Sequence, residues 1–123
     1  MRRVVITGLG IVCPIGNTLD ETWESVKANR CGVGEITAFD TSDYKVKLAA
    51  EVKDLDTEQY FSKREMKFNE RFTQFARIAA KQAYADAGLE DADIERDRFG
   101  VIVGSGVGGL RKIEESTETL NSR

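Results

Sequence analysis

The sequence contains no histidine and only two cysteines, Cys13 and Cys31. Zinc sites in proteins are built from several cysteine and histidine ligands, and this chain offers neither a Cys-x-x-Cys pair nor an imidazole. We therefore predict no metal site. The two thiols are expected to be reduced and buried, as in a cytoplasmic protein, and a disulfide between them is the alternative.

The sequence also lacks an excess of charge and a long apolar run. The 123 residues carry a net charge of −3, so no overall positive field draws the chain to nucleic acid or to an anionic membrane. The apolar residues 4–15 follow two arginines, as in a signal peptide. However, this stretch is too short to span a bilayer, and no small-x-small cleavage site follows it.

Three segments have the pattern of β-strands. Residues 2–7 and 99–103 are rich in apolar and β-branched side chains without alternation, which is typical of strands that are covered on both faces. Residues 44–52 alternate partially, with apolar side chains at every second position from Tyr44. This third segment is predicted to be a strand with one exposed side.

Helical patterns lie between these strands. Capping boxes at residues 18–21 and 62–65 predict two helix starts. Apolar residues at steps of three or four from Phe68 predict a long amphipathic helix that ends near Gly88. Its aromatic stripe is interpreted as core packing, and its alanine-rich half would let another backbone approach closely. A last amphipathic helix is predicted from Leu110 onward.

These elements predict the α/β class, with a mixed sheet flanked by helices. A sheet buried on both faces normally needs more strands than the three found here, with helices on each side. We therefore expect residues 1–123 to form an incomplete domain that begins a larger α/β protein, with no second domain in the chain.

Four glycines follow the last predicted strand. The spacing Gly104-x-Gly106-x-x-Gly109 matches the dinucleotide fingerprint, and the helix that follows could hold a phosphate at its N-terminus. Against this interpretation, the acidic residue expected about 20 residues later has no place in the chain, and no lysine follows Gly109 to make a P-loop. A nucleotide-binding module that uses Gly104–Gly109 is therefore an alternative to a tight turn that lets backbone approach a substrate.

Three stretches together resemble the N-terminal part of the β-ketoacyl-acyl-carrier-protein synthases, type II in particular. They are RRVVITGLGIVCPIGN at residues 2–17, RFTQFARIAAKQAYADAGL at residues 71–89 and GVIVGSGVGGL at residues 100–110. The intervening FDTSDYKVKLAAEVKD at residues 39–54 is also similar. The resemblance covers essentially the whole chain and keeps the order of the motifs.

The resemblance implies a thiolase-like αβαβα fold, of which this chain would be the N-terminal part, and a cytoplasmic homodimer. It implies fatty acyl elongation by decarboxylative Claisen condensation of an acyl-enzyme with malonyl-acyl carrier protein. The family's nucleophilic cysteine, two histidines and lysine would lie beyond Arg123, so we expect no catalytic residue here and an inactive isolated chain. No cofactor is expected besides the phosphopantetheine arm that arrives on the acyl carrier protein.

One set of site residues implied by the resemblance lies in the glycine-rich segment. The family's acyl-pocket wall matches Gly104, Ser105, Gly106, Val107 and Gly108. Val107 matches the position that gates the acyl tail, where the family usually has a larger branched residue. Simple packing of Val107 is the alternative.

A second implied set of site residues is basic. Lys63, Arg64 and Lys67 cluster in the stretch with which the family docks its acidic carrier protein. Arg64 and Lys67 match docking residues, whereas Phe68 stands in place of a third basic one. A solvated charged face is the alternative, since most charge clusters are no more than that.

Two further interpretations stay open. A non-catalytic chain-length-factor subunit of the same family would share these motifs and would differ in the region beyond Arg123. A self-sufficient small binding domain would have no exposed apolar strand edge, which the predicted buried strands disfavour.

Overall fold

A computed structural model describes residues 3–122, in which four helices and a two-stranded sheet form. The helices are α1 (Leu19–Lys27), α2 (Lys63–Phe68), α3 (Arg71–Asp86) and α4 (Leu110–Asn121), and a 3-10 turn forms at Arg96–Arg98. Strand β1 (Val33–Glu35) pairs antiparallel with β2 (Leu48–Ala50), with Val33 opposite Ala50. The chain combines helices and strands as expected, but its sheet is small and antiparallel and is not the predicted mixed sheet.

Helix α3 supports the N-terminal segment of the described chain. A Cβ on Gly8 would lie 2.6 Å from the backbone nitrogen of Ala87, and one on Gly10 would lie 2.7 Å from that of Ala83. The backbone of the segment therefore runs directly over the alanine stripe of α3. This close approach confirms the prediction made from the alanine-rich half of the helix.

Hydrogen bonds hold the same segment in register with α3. The backbone N–H of Leu9 donates to a carboxylate oxygen of Asp86 at 2.8 Å, and that of Ile11 donates to Oε1 of Gln82 at 3.0 Å. Gln82 in turn donates from Nε2 to the backbone carbonyl of Asn17 at 2.7 Å. Polar side chains at one end of the helix thus satisfy backbone groups of a segment that lies outside regular secondary structure.

Both predicted helix starts are confirmed. Ser62 accepts from the backbone N–H of Glu65 at 3.3 Å, and the carboxylate of Glu65 accepts from the backbone N–H of Ser62 at 3.0 Å, which completes a capping box. At α1, Thr18 caps the N–H of Glu21, but the carboxylate of Glu21 accepts from the N–H of Asn17. The reciprocal bond is therefore displaced by one residue.

The predicted end of the long helix is also confirmed. Gly88 follows α3 in the left-handed conformation, with φ of +65°. Glycine is favoured there because a side chain would be strained. The start differs from the prediction: α3 begins at Arg71, since the chain breaks helical geometry at Asn69 and Glu70 and makes the separate helix α2 before it.

The segments predicted as buried strands at residues 2–7 and 99–103 form no strand within the described residues, and Arg2 itself lies outside them. A strand needs a hydrogen-bonded neighbour, and among residues 3–122 no second strand lies beside either segment. Val4 is 96% exposed and Ile102 is 98% exposed. The third predicted strand shortens to β2, and its partner β1 was not predicted.

Little of the apolar surface is buried. Among the described residues, the buried hydrophobic side chains are Phe61 and Ile78. Helix α1 turns Thr22 and Ser25 inward and leaves Trp23 exposed, so its apolar stripe faces outward. The prediction that the aromatic stripe of α3 forms core is wrong for most of its members, because Gln74 and Ile78 are the residues that α3 buries. No helix within residues 3–122 is both long and apolar enough to cross a membrane.

Candidate functional site

Helix α2 displays the predicted basic cluster. Lys63, Arg64 and Lys67 are all exposed on this six-residue helix, which the Ser62 capping box starts. Within the described part of the chain, none of the three takes part in an ion pair. Their charges therefore face solvent without a compensating carboxylate.

The acidic residue of α2 is held away from these cations. The Glu65 carboxylate accepts bonds from the backbone N–H and the hydroxyl of Ser62, both at 3.0 Å, and from Nη2 of Arg77 at 3.2 Å. These bonds, with those from Ser62 first, lower the pKa of Glu65 below its ordinary value. Arg77 is fixed in turn, because its guanidinium carbon lies 4.6 Å from the centre of the Phe61 ring. The acid that could neutralise the basic cluster is thus bound to α3.

The glycine loop, defined as residues 104–109, is open. A Cβ added at Gly104 or Gly106 would meet no atom within 4 Å. The loop is closed on itself by a bond from the backbone N–H of Gly108 to the hydroxyl of Ser105 at 3.1 Å. Gly108 has φ of +77°, a conformation that favours glycine. Val107 is 68% exposed. Its role as a gate stays a prediction.

A groove of 680 Å³ brings part of each predicted site together. It lies between the α2–α3 junction and the start of α4, and both Lys67 and Gly108 line it. The ring of Phe72 approaches Gly108 from the α3 side. The remaining members of the two predicted sets, Lys63, Arg64, Gly104, Ser105, Gly106 and Val107, do not line this groove.

The start of α4 faces a carboxylate. The side chain of Glu70 occupies the space that a side chain on Gly109 would fill. Gly109 is the N-cap of α4 and has no side chain that could cap the helix. The Glu70 carboxylate instead places a negative charge at the positive end of the helix. A nucleotide phosphate at this position would meet that carboxylate, which disfavours the dinucleotide interpretation of the glycine spacing.

The structure also decides how the cysteines are placed. Both are free thiols; Cys13 is half-buried and its Sγ lies 3.5 Å from Oγ1 of Thr22, whereas Cys31 is exposed. The prediction of burial is therefore wrong for Cys31. Within residues 3–122, no group of three or more potential metal ligands comes together.

Sequence reasoning missed two residues that line the groove. Glu70 and Arg71 join α2 to α3 and stand beside Lys67 and the glycine loop. Arg71 lies four residues after Lys67, but a helix break separates them, so the spacing alone did not place them on one surface. Their place beside the glycine loop depends on how α4 meets the α2–α3 junction.

Comparison with known proteins shows which family the chain is similar to. Residues 1–123 match the pattern described as "Beta-ketoacyl synthase, N-terminal domain". The chain is 43% identical over 119 residues to the 3-oxoacyl-[acyl-carrier-protein] synthase 2 of Synechocystis, and 44% identical over 119 residues to that of Staphylococcus aureus N315. Each alignment covers 97% of this chain and 29% of the relative, so the chain spans about three tenths of their length.

A solved structure is similar as well. The ishigamide ketosynthase/chain length factor superposes with a TM-score of 0.76 at 31% identity, covering 95% of this chain and 29% of that one. The chain belongs to the β-ketoacyl synthase family, whose N-terminal domain it matches throughout. The relatives described above carry the name 3-oxoacyl-[acyl-carrier-protein] synthase 2, which defines a condensing acyltransferase family.

Proposed function

We propose that this chain is the N-terminal portion of a type II β-ketoacyl-acyl-carrier-protein synthase of fatty acid biosynthesis, acting as a cytoplasmic homodimer. A cysteine thiolate takes an acyl group from acyl carrier protein as a thioester. Malonyl carrier protein then loses carbon dioxide, and the resulting carbanion attacks that thioester and releases the thiolate. The observation that carries the proposal is the 43% identity to a named synthase over 97% of the chain.

The reacting groups of this proposal lie outside the chain. The nucleophilic cysteine, two histidines and lysine would follow Arg123, and the chain itself supplies no histidine. Residues 1–123 would therefore contribute recognition and shape, with phosphopantetheine arriving on the carrier protein. We expect the isolated chain to be inactive.

Carrier-protein docking is assigned in this proposal to α2. Carrier proteins of this pathway are acidic, and Lys63, Arg64 and Lys67 present three exposed positive charges while the Glu65 carboxylate is bound to Arg77. One exposed ion pair contributes only about 0.2–1 kcal/mol. A cluster of like charges does more, because it steers the encounter with an oppositely charged partner.

The glycine loop is assigned to the wall of the acyl pocket. Open space around Gly104 and Gly106 supports this assignment, since a substrate chain could approach their backbone closely. Val107 would gate the acyl tail from the exposed side of the loop. Valine is smaller than the branched residue usual in the family, so this gate would be looser.

The test compares the 123-residue chain with the longer polypeptide that the proposal requires, in an assay with acyl- and malonyl-acyl carrier protein. We expect the longer polypeptide to release carbon dioxide and form 3-oxoacyl carrier protein, and the short chain to do neither. Condensation by the chain of mass 13.7 kDa on its own would overturn the proposal.

Docking is tested separately by reversing two charges, Arg64→Glu and Lys67→Glu. The KM for acyl carrier protein should rise several-fold at low salt, and the rise should shrink as salt screens the interaction. The matched control reverses Lys47 and Lys81, which are exposed and lie outside α2. An unchanged KM in the α2 variant would remove the docking assignment while leaving the condensation assay untouched.

A non-catalytic chain-length-factor subunit is the second candidate. The solved ishigamide structure, whose title names both a ketosynthase and a chain length factor, superposes on 95% of this chain and supports it. The two candidates differ in whether a cysteine nucleophile is present in the longer polypeptide. Covalent labelling by an acyl thioester, followed by mass measurement, distinguishes them.

A further inference from the structure

Arg71 is an exposed cation whose side chain is already held in place. Its Nη2 donates to the backbone carbonyl of Val52 at 3.3 Å, and its guanidinium carbon lies 4.8 Å from the centre of the Phe75 ring. Long side chains normally lose rotamer entropy when they bind a partner. An arginine fixed by a carbonyl and an aromatic face loses less of it, so Arg71 is prepared for an interaction with an anion.

The charges around the groove single out Arg71 and Lys67. The two other cations that line it, Arg111 and Lys112, lie 3.2 and 3.4 Å from the carboxylate of Glu115. Within the described range, Arg71 and Lys67 take part in no ion pair. The local positive charge of the groove is therefore concentrated where α2 meets α3.

The carboxylate that could neutralise these two cations points elsewhere. Glu70 precedes Arg71 in the chain, but its side chain lies against Gly109 at the positive end of α4. Its negative charge thus lies at the positive end of α4.

Phe68 leaves a gap in the basic surface that Arg71 can fill. This ring is 76% exposed and belongs to the last residue of α2, directly after Lys67, so the helix offers no further cation at its C-terminal end. We propose that Arg71 is a further cation of the docking surface, added to Lys63, Arg64 and Lys67, and that it binds a carboxylate on an acidic carrier protein. This inference rests on the proposed function.

Arg71 is better suited to a protein carboxylate, which has two acceptor oxygens, than to a group that accepts one hydrogen bond. The guanidinium has five N–H donors in a planar fork, and within residues 3–122 one of them forms a hydrogen bond, to the carbonyl of Val52. The remaining donors can form a bidentate pair with a carboxylate. Charge complementarity between an acidic carrier protein and the exposed cations Arg64, Lys67 and Arg71 therefore defines the occupant.

The experiment measures the dissociation constant for acyl carrier protein at low and high salt. Arg71→Gln should weaken binding about three- to fivefold at low salt, as expected for one exposed charge pair in a cluster, with the difference fading at high salt. Lys81→Gln, which removes an exposed charge on a different face of α3, is the matched control and should leave binding unchanged.

Rescue separates a docking cation from a structural one. Adding Phe68→Lys to Arg71→Gln should restore most of the affinity at low salt, because it returns a positive charge to the same surface. If Arg71 only stabilised the fold, the loss of binding would be equal at both salt concentrations and Phe68→Lys would not reverse it. Should Arg71→Gln fail to fold, Arg71→Lys takes its place: it keeps the charge but loses the planar fork, so binding should weaken by about twofold at low salt, and unchanged binding would overturn the bidentate carboxylate contact.

The remaining outcomes distinguish this inference from the proposal beneath it. If reversing Arg64 and Lys67 weakens binding but Arg71→Gln does not, the inference is overturned and the proposed function stands. If none of these changes affects binding, both this inference and the docking assignment of α2 are overturned, and the condensation assay alone decides the proposed function. A loss seen only with carrier protein that bears its phosphopantetheine arm assigns Arg71 to the phosphate and overturns the carboxylate contact.

Discussion

Two glycine-rich segments of this chain differ in what surrounds them. Gly8 and Gly10 lie so close to α3 that a Cβ on either would overlap backbone atoms of the helix. Gly104 and Gly106 have no neighbour within 4 Å of an added Cβ. The first pair is glycine because the chain packs there, whereas the described residues give no packing reason for the second pair.

This difference separates a structural use of glycine from a candidate functional one. The N-terminal segment is anchored by Asp86 and Gln82, so its glycines belong to the stability of the fold. In the glycine loop, the ring of Phe72 on α3 lies beside Gly108, whereas Gly104 and Gly106 have open space around them. The open pair lies in the segment that resembles the family's acyl-pocket wall, and its functional role is therefore a proposal that rests on that resemblance.

The largest expected effect tests the packed pair. Gly10→Ala must push the N-terminal segment away from α3, because a Cβ would lie 2.7 Å from the Ala83 nitrogen. Overpacking of this kind typically costs about 1–3 kcal/mol. We expect a corresponding fall in the free energy of unfolding, measured by urea titration with circular dichroism.

Gly104→Ala is the matched control for that substitution. Gly104 has open space around it and is not among the glycines with positive φ, so alanine fits without strain. Its effect on stability should be near zero or slightly favourable, since alanine restricts the unfolded chain. Equal losses from both substitutions would show that the two segments do not differ in the way described.

A smaller effect should follow from placing a larger side chain at the gate position in the open loop. Val107→Phe in the condensing polypeptide should slow transfer of long acyl chains about tenfold, within the range expected when a pocket is changed by a few carbon atoms. Transfer of short acyl chains should be unchanged, because the gate is assigned to the tail of a long acyl chain. Unchanged long-chain transfer would refute the gating role.

Local signals in the sequence predicted much of the packed region. The Ser62–Glu65 capping box, the end of α3 at Gly88 and the close approach of backbone to the alanine stripe all depend on residues near each other in sequence or on one helix face. The strands failed for the opposite reason. Pairing is a property of two segments, and the apolar runs at residues 3–7 and 99–103 find no partner among the described residues.

The candidate site could be predicted only as separate parts. Lys63, Arg64 and Lys67 were recognised as cations and Gly104–Gly108 as a loop, and their functions stay predictions. The groove that links Lys67 to Gly108 depends on how α4 meets the α2–α3 junction. No periodicity encodes that meeting, so Glu70 and Arg71 could not be assigned to the site from sequence.

A third, weaker effect concerns the link between α2 and the packed region. The bonds from Ser62 and Arg77 lower the pKa of Glu65, so the folded state favours its ionised form. The stability gained is present above the ordinary pKa of 4.5 and is lost as pH falls through the lower folded value. Glu65→Gln should therefore make the acid limb of the stability profile shallower.

The control for this pH profile is Glu118→Gln, since Glu118 is exposed on α4 and takes part in no ion pair within the described part of the chain. Thermal unfolding measured from neutral pH down to acid pH gives both curves. Identical acid limbs for the parent and Glu65→Gln would show that the carboxylate does not tie α2 to Arg77 in solution.

The last expected result is the absence of an effect: the melting temperature should not change as NAD or NADP is added. A bound nucleotide would place phosphate near the start of α4, where the Glu70 carboxylate already faces Gly109. The two like charges would repel each other there. A saturable rise in melting temperature would break the comparison, because the open glycines would then serve a phosphate and not an acyl chain.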